Sequence, residues 1–195
     1  MGAPGFAMSV RPGGSADMSD LSITAATAAD LAAIHSIVES AYRGDSARAG
    51  WTHEADLLAG QRTDAETLAA IFADRDQRLL VARDATGDVI GSVVIERKNG
   101  ATAYLGMLAV TPARQTGGVG RTLIAAAEAA ARDIFGAQRI EMTVIGRRRE
   151  LVAYYQRRGY ALTGEQRPFP YDNRRLGEPL SHDLDFVVLA KELEA

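Results

Sequence analysis

Leu108-Ala109-Val110-Thr111-Pro112-Ala113-Arg114-Gln115-Thr116-Gly117-Gly118-Val119-Gly120-Arg121 is the stretch on which the fold turns. Its apolar start reads as the end of a strand, and Pro112 stops that strand because it has no N–H to give a ladder. Glycines 117, 118 and 120 make a tight loop. Leu123, Ile124, Ala127, Ala131 and Ile134 then recur on one face of a helix from about Gly120 to Phe135, and Gly136 fits its C-terminal stop. A strand that feeds a glycine loop opening a helix is an anion site. Backbone N–H groups point outward, the helix dipole is positive there, and glycine lets a phosphate approach closely. A diphosphate is the natural ligand. The P-loop pattern fails, since Gly120 is followed by Arg121-Thr122 and no glycine stands five residues earlier. The Rossmann fingerprint fails at Leu123, where its third glycine would stand.

Working outward, Arg78 to Arg83, Val89 to Glu96 and Ala101 to Val110 read as three strands. They are joined by Asp84-Ala85-Thr86-Gly87-Asp88 and by Asn99-Gly100, which predicts an antiparallel meander. Gly106 marks a bulge or a close backbone approach in the third strand. Upstream, Leu21 to Thr24 is a short strand. Thr27 and Asp30 open an amphipathic helix over 28–42, carried by Leu31, Ile34, Val38 and Tyr42. Arg43 to Gly50 reads as a loop, Glu54 to Leu58 as a short helix, and Thr63 with Glu66 as the capping box of a helix ending near Asp74. Downstream come a strand over 139–145, a helix over 150–158 stopped by Gly159, and strands over 160–163 and 186–190. A long loop, Gly164 to Asp185, lies between the last two, and loops of that length are usually functional or mobile. The order predicts an α/β (α+β) domain with a mixed, mostly antiparallel sheet flanked by helices. Residues 21–195 form one domain in this reading, and the Gly-, Ala-, Ser- and Pro-rich segment 1–20 a flexible tail, with Met8 and Met18 as alternative starts.

Composition narrows the function. A formal charge of -3 argues against a general nucleic-acid binder. No segment reaches the roughly 18 to 20 apolar residues of a membrane span. The chain has no cysteine, which suits a reducing cytoplasm and removes any thiolate nucleophile, so an acyl group would pass directly to its acceptor or through another residue. His35, His53 and His182 make a poor metal set, and no metal is expected.

Gln115, Gly118 and Gly120 form Q-x-x-G-x-G, which with the preceding Leu-Ala-Val-x-Pro resembles motif A of the GCN5-related N-acetyltransferase (GNAT) superfamily. Leu151 to Tyr160, ending Tyr155-Gln156-Arg157-Arg158-Gly159-Tyr160, resembles its motif B. The resemblance spans residues 79–164. It implies the GNAT acyl-CoA fold and acetyl-CoA as cosubstrate. Leu108, Ala109 and Val110 would hold the pantetheine and thioester, and Gln115, Thr116, Gly117, Gly118, Val119, Gly120 and Arg121 the pyrophosphate. Tyr155 takes the place of the family's general acid, which protonates the departing thiolate; Tyr154 is one residue out of register and reads as core. Where many members carry an Asn, this chain has Arg148 within Arg147-Arg148-Arg149, which reads as a contact to the 3'-phosphate or the pantetheine. Dimers are common in the family, so a homodimer is also expected.

The base is less determined. Many members use a Glu on the fourth strand, yet Ala101 to Val110 contains no acid. Glu141, on the next strand, alternates with Ile140 and Met142 and is the catalytic candidate; Glu54, His53 and His182 compete. The acceptor site is expected to draw on Tyr42, Trp51, His53 and Glu54, with Phe169, Tyr171 and Asp172 of the late loop behind them. The expected acceptor is a small-molecule or peptide amine, with no nucleic acid and no membrane as partner. The competing function is a non-catalytic acyl-CoA sensor, motivated by the missing acid and by Arg148.

Overall fold

A computed structural model describes residues 21–173 and 176–194; the segment 1–20, read as a tail, lies outside the described residues. Strand β1 (Ser22–Ala25) leads to Thr27, whose N–H donates to the Asp30 carboxylate at 2.7 Å, the reciprocal cap that the sequence suggests. A 3₁₀ turn (Ala28–Asp30) then runs into α1 (Leu31–Tyr42). Helix α2 (Gly44–Arg48) and a two-residue strand β2 (Leu58–Ala59) follow, then α3 (Ala65–Ala73), capped by Asp64 accepting from Thr67 N–H at 2.6 Å. The meander β3 (Gln77–Arg83), β4 (Val89–Arg97) and β5 (Thr102–Val110) is antiparallel throughout, as expected. Next come a 3₁₀ segment (Pro112–Gly117), α4 (Val119–Phe135), β6 (Arg139–Ile145), α5 (Arg149–Gln156), β7 (Ala161–Pro168), β8 (Glu178–Pro179) and β9 (Asp185–Glu192).

Seven strands form one sheet in the order β1-β3-β4-β5-β6-β9-β7, and only β5 and β6 run parallel. The expected mixed, mostly antiparallel sheet flanked by helices is therefore present. Period-2 alternation sends the two faces to two cores. On one face, Ile34, Val38 and Leu68 of α1 and α3 pack on Val81, Val94 and Ala109. On the other, Leu123, Ile124 and Ala127 of α4 pack on Val93, Ile95, Leu105, Ile140 and Met142. Removing a fully buried side chain such as Leu123 costs about 2–5 kcal/mol.

Two features at the middle of the sheet position the site. The β5–β6 pairing lasts only through Thr102↔Arg139, Ala103↔Ile140 and Tyr104↔Glu141, after which the strands part. In the same stretch β5 takes one extra residue against β4, between the pairs Val94↔Gly106 and Ser92↔Ala109. Met107, in that bulge, is the one non-glycine with positive φ (49°) among the described residues. The sequence places this irregularity at Gly106, one residue away.

Several elements depart from the sequence reading. The loop at 43–50 contains α2, and the helix expected at 54–58 is a single hydrogen-bonded turn in which Leu57 and Leu58 N–H share the Glu54 carbonyl. Ile134 is exposed, because the buried stripe of α4 runs through Leu123, Ala127 and Ala131. The strand expected at 160–163 extends to Pro168 along β9, with a register shift between Leu162 and Gln166 around Gly164. It is an exposed polar edge strand, so it lacks the alternation by which strands are recognised. The remaining loop is pinned by β8, which pairs antiparallel with β2.

Candidate active site

The glycine loop ends at Gly118, whose φ of 80° is one a side chain rarely adopts. As N-cap of α4 it offers no side-chain oxygen, so the first N–H groups of a 17-residue helix meet no capping group. Gly120 allows a close approach, since a Cβ there would meet the Tyr154 hydroxyl at 2.9 Å. An uncapped helix start beside bare backbone fits a diphosphate. The parted strands β5 and β6, with the β5 bulge against β4 beside the gap, leave unpaired backbone that fits an extended amide chain.

Two cavities meet at this point. The smaller, about 60 Å³, is lined by Trp51, Leu108, Val110, Gln115, Gly120 and Tyr154 among others. The larger, about 350 Å³, runs over the α1 and α3 side, with Glu54, Arg62, Glu96 and Phe169 in its wall. That volume suits a small molecule. Tyr42, Leu108, Arg148, Leu151 and Tyr155 line both.

Tyr155 is buried on α5 between Tyr154 and Tyr160, its ring edge-on to both. Among the described residues its hydroxyl has no hydrogen-bond partner. Burial pushes the phenol well above its ordinary value, the nearby Tyr42 adds to this, and Arg148 opposes it. The group is thus protonated at any physiological pH. Tyr42 donates its hydroxyl to the Leu108 carbonyl at 2.8 Å and so holds the bulge. Tyr154 is only partly buried, packs on Trp51 at 5.1 Å between ring centres, and lies under the Arg158 guanidinium at 3.3 Å. Its hydroxyl sits by the glycine loop.

The larger cavity is organised around one carboxylate. Glu54 Oε2 accepts from Arg43 at 2.8 Å, Oε1 accepts from Arg148 at 2.9 Å, and Arg62 Nε stands 4.0 Å away. Burial pushes the carboxyl up, but Arg148, Arg62 and Arg43 outweigh it and hold Glu54 below the usual range. Arg43 also donates to the Leu176 carbonyl, and Arg148 to the Thr52 hydroxyl. Both keep a buried Nε without a partner.

The expected site residues separate into groups. Leu108, Val110, Gln115 and Gly120 stand together along the smaller cavity, and Tyr42 and Tyr155 at the junction. Gln115 bridges the two walls, accepting from Trp51 N–H at 3.0 Å and donating to the Val110 carbonyl at 3.3 Å. Trp51, expected in the acceptor site, is therefore on the glycine-loop side and does not line the larger cavity. His53 turns to Asp56, 3.9 Å away, and lines neither cavity. Arg148, read as a contact to the 3'-phosphate or the pantetheine, gives its guanidinium to Glu54 and Thr52 and lines both cavities. Glu141, read as the base, accepts from Arg167 of β7 at 3.3 Å and lines neither cavity. Tyr171 is structural, accepting from Leu184 N–H at 2.8 Å. His182 stacks on Tyr171 and lines neither cavity.

Sequence reasoning missed Arg43, Arg62 and Glu96. Glu96 does carry a signal, since it alternates with Val94 and Ser92 onto the α1 side of β4. Arg43 and Arg62 carry none, because nothing local says that they converge on Glu54.

The model of the acetyltransferase (GNAT) family matches residues 31–160. The chain belongs to the GNAT acetyltransferase family. Solved structures agree on the fold. A putative phosphinothricin N-acetyltransferase superposes with a TM-score of 0.68 at 20% identity, covering 90% of this chain and 100% of that one. Spermidine N-acetyltransferase from Vibrio cholerae, in complex with CoA and spermine, gives 0.66 at 19% identity, covering 90% and 96%. Nourseothricin acetyltransferase gives 0.53 at 24% identity, covering 62% and 68%. No curated protein sequence matches the chain. Among the described residues of this GNAT protein, no helix is long and apolar enough to cross a membrane. Nor does any group of three His, Asp or Glu side chains converge as metal ligands there.

Proposed function

We propose that this protein moves an acetyl group from acetyl-CoA directly to a primary amine, in a ternary complex within the cytoplasm. The observation that carries the reading is the unpartnered Tyr155 hydroxyl at the junction of the two cavities, beside the bulge of β5. The α4 N-terminus and glycines 117, 118 and 120 would hold the pyrophosphate, and the backbone of Leu108 to Val110 the pantetheine and thioester. The spermidine and phosphinothricin N-acetyltransferases that share the fold act on amines, which favours the same class here.

Each residue has a task in that transfer. The bulge amides polarise the thioester carbonyl as the amine nitrogen adds to its carbon. Tyr155 gives its proton to the departing sulfur as the carbon–sulfur bond breaks, and Arg148 offsets the phenolate charge. Tyr155 regains a proton from solvent before the next turnover. Glu54, ringed by guanidiniums, is too weak a base to take the amine proton. Glu96 is the other carboxylate that lines the larger cavity, and it takes that role in our reading.

A thermal-shift titration with acetyl-CoA, CoA and ATP tests the donor. A ligand at 100 times its Kd stabilises the native state by about 2.7 kcal/mol. Acetyl-CoA is expected to raise the melting temperature of the wild type by several degrees. Gly118→Trp, which fills the loop at a positive φ, is expected to abolish that rise. Stabilisation by ATP and not by either CoA species would end the acyltransferase reading.

A further inference from the structure

The ion cluster in the wall of the larger cavity holds more cations than anions, with Arg43 set behind the lining residues Arg62, Arg148 and Glu54. Three guanidiniums, Arg43, Arg62 and Arg148, surround the single carboxylate of Glu54. The other acid in its wall, Glu96, is matched by Lys98 at 2.7 Å. Arg43 and Arg148 are committed, with three and two hydrogen-bonded partners respectively and side chains 6% and 8% exposed. Arg62 is different. Its side chain is 20% exposed, it stands 4.0 Å from Glu54, and among the described residues its guanidinium makes no hydrogen bond. It is nevertheless held. Its backbone N–H donates to Glu39 at 2.8 Å, its neighbour Thr63 does the same at 2.9 Å, and its guanidinium carbon lies 5.2 Å from the centre of the Tyr42 ring. A planar fork stacked on an aromatic ring, with unspent donors facing a cavity, matches a carboxylate or phosphorus oxyanion bidentately. Tyr155 lines the same cavity, so one molecule spanning it would present an amine at the β5 bulge and an anion at Arg62.

We infer that the acceptor is an amine bearing an anionic oxyacid group, and that Arg62 recognises the anion. This rests on the acetyltransferase reading and narrows it. A polyamine is the wrong occupant: its second and third ammonium groups would face Arg62 and Arg148, and both carboxylates in that wall are already paired, Glu54 with Arg43 and Arg148 and Glu96 with Lys98.

The test is a thiol-release assay at saturating acetyl-CoA. The panel holds α- and ω-amino acids, aminoalkyl phosphonates, the carboxamide of each amino acid, and spermidine. The expected result is a kcat/KM for the best acid roughly 10- to 100-fold above that of its amide, the range of a charge-assisted pair. Arg62→Gln is expected to raise KM for the acid until that ratio approaches one, and Arg62→Lys to restore part of it. Circular dichroism and acetyl-CoA thermal shift confirm that both variants fold. Spermidine or the amides used as well as the acids, or an acid preference that survives Arg62→Gln, would overturn the assignment. Thiol release from spermidine alone would spare the transferase reading while removing this one. No thiol release from any amine would remove both.

Discussion

The two sides of the cleft are made of different material. The glycine-loop side is built from backbone: an uncapped α4, Gly118 at positive φ, and a strand that bulges away from its neighbours. The opposite side is built from buried ionised side chains, drawn from α1, the α2–β2 connection, the segment before α3 and the start of α5, and gathered on Glu54. A backbone site is written in one short run of residues, and its chemistry tolerates any side chains around the glycines. A side-chain site is written nowhere locally, and each member is strained by the loss of any other. In our proposal the first arrangement holds the donor and the second faces the acceptor.

The sharpest way to break this contrast is Glu54→Gln. It leaves buried guanidiniums without a counter-charge, which costs about 3–5 kcal/mol when a buried pair is broken. Chemical denaturation should show that loss in the free protein. A change below 1 kcal/mol would mean that the cluster is solvated and the two sides are not so different. A smaller and purely chemical effect is expected from Tyr155→Phe. The rate constant kcat should fall about 100- to 1000-fold, while stabilisation by acetyl-CoA persists. Equal loss of binding and turnover would instead make Tyr155 a packing residue of the glycine-loop side.

The smallest effect is the acid limb of stability. Glu54 is held low by its arginines, and Asp30, despite burial, by its bonds from Thr27 and Arg83. With folded values below unfolded ones, the unfolded chain binds more protons in acid. The stabilisation is therefore complete above the unfolded carboxylate values of about 4. It is lost as pH falls from there through the lower folded values. Melting temperatures between pH 7 and pH 3 should fall, and Glu54→Gln should flatten the slope.

The same contrast explains what the sequence disclosed. The meander, α4 and the glycine loop were legible because hydrophobic period and glycine spacing are local signals, and Tyr155 because a short motif surrounds it. The partners of Arg148 and Glu141 were not legible for one reason. Each has an oppositely charged partner far along the chain, Glu54 and Arg167, and such a pair decides where a side chain points. The extension of the polar edge strand β7 beyond residue 163 and the β2–β8 pair were missed because neither shows the alternation that burial imposes on a strand.

The fork between β5 and β6 has one more consequence. A sheet normally confines its unpaired backbone to its two borders, but here a third border opens in the interior. Such a border invites the wrong chain to add a strand. The Tyr104 hydroxyl, bonded to Thr143 at 2.7 Å just beyond the last backbone pair, clasps the apex, while α5 and the Tyr42–Leu108 bond wall the flanks. The usual hazard of β structure, an edge ready to pair, is thus closed at its apex and walled on its flanks.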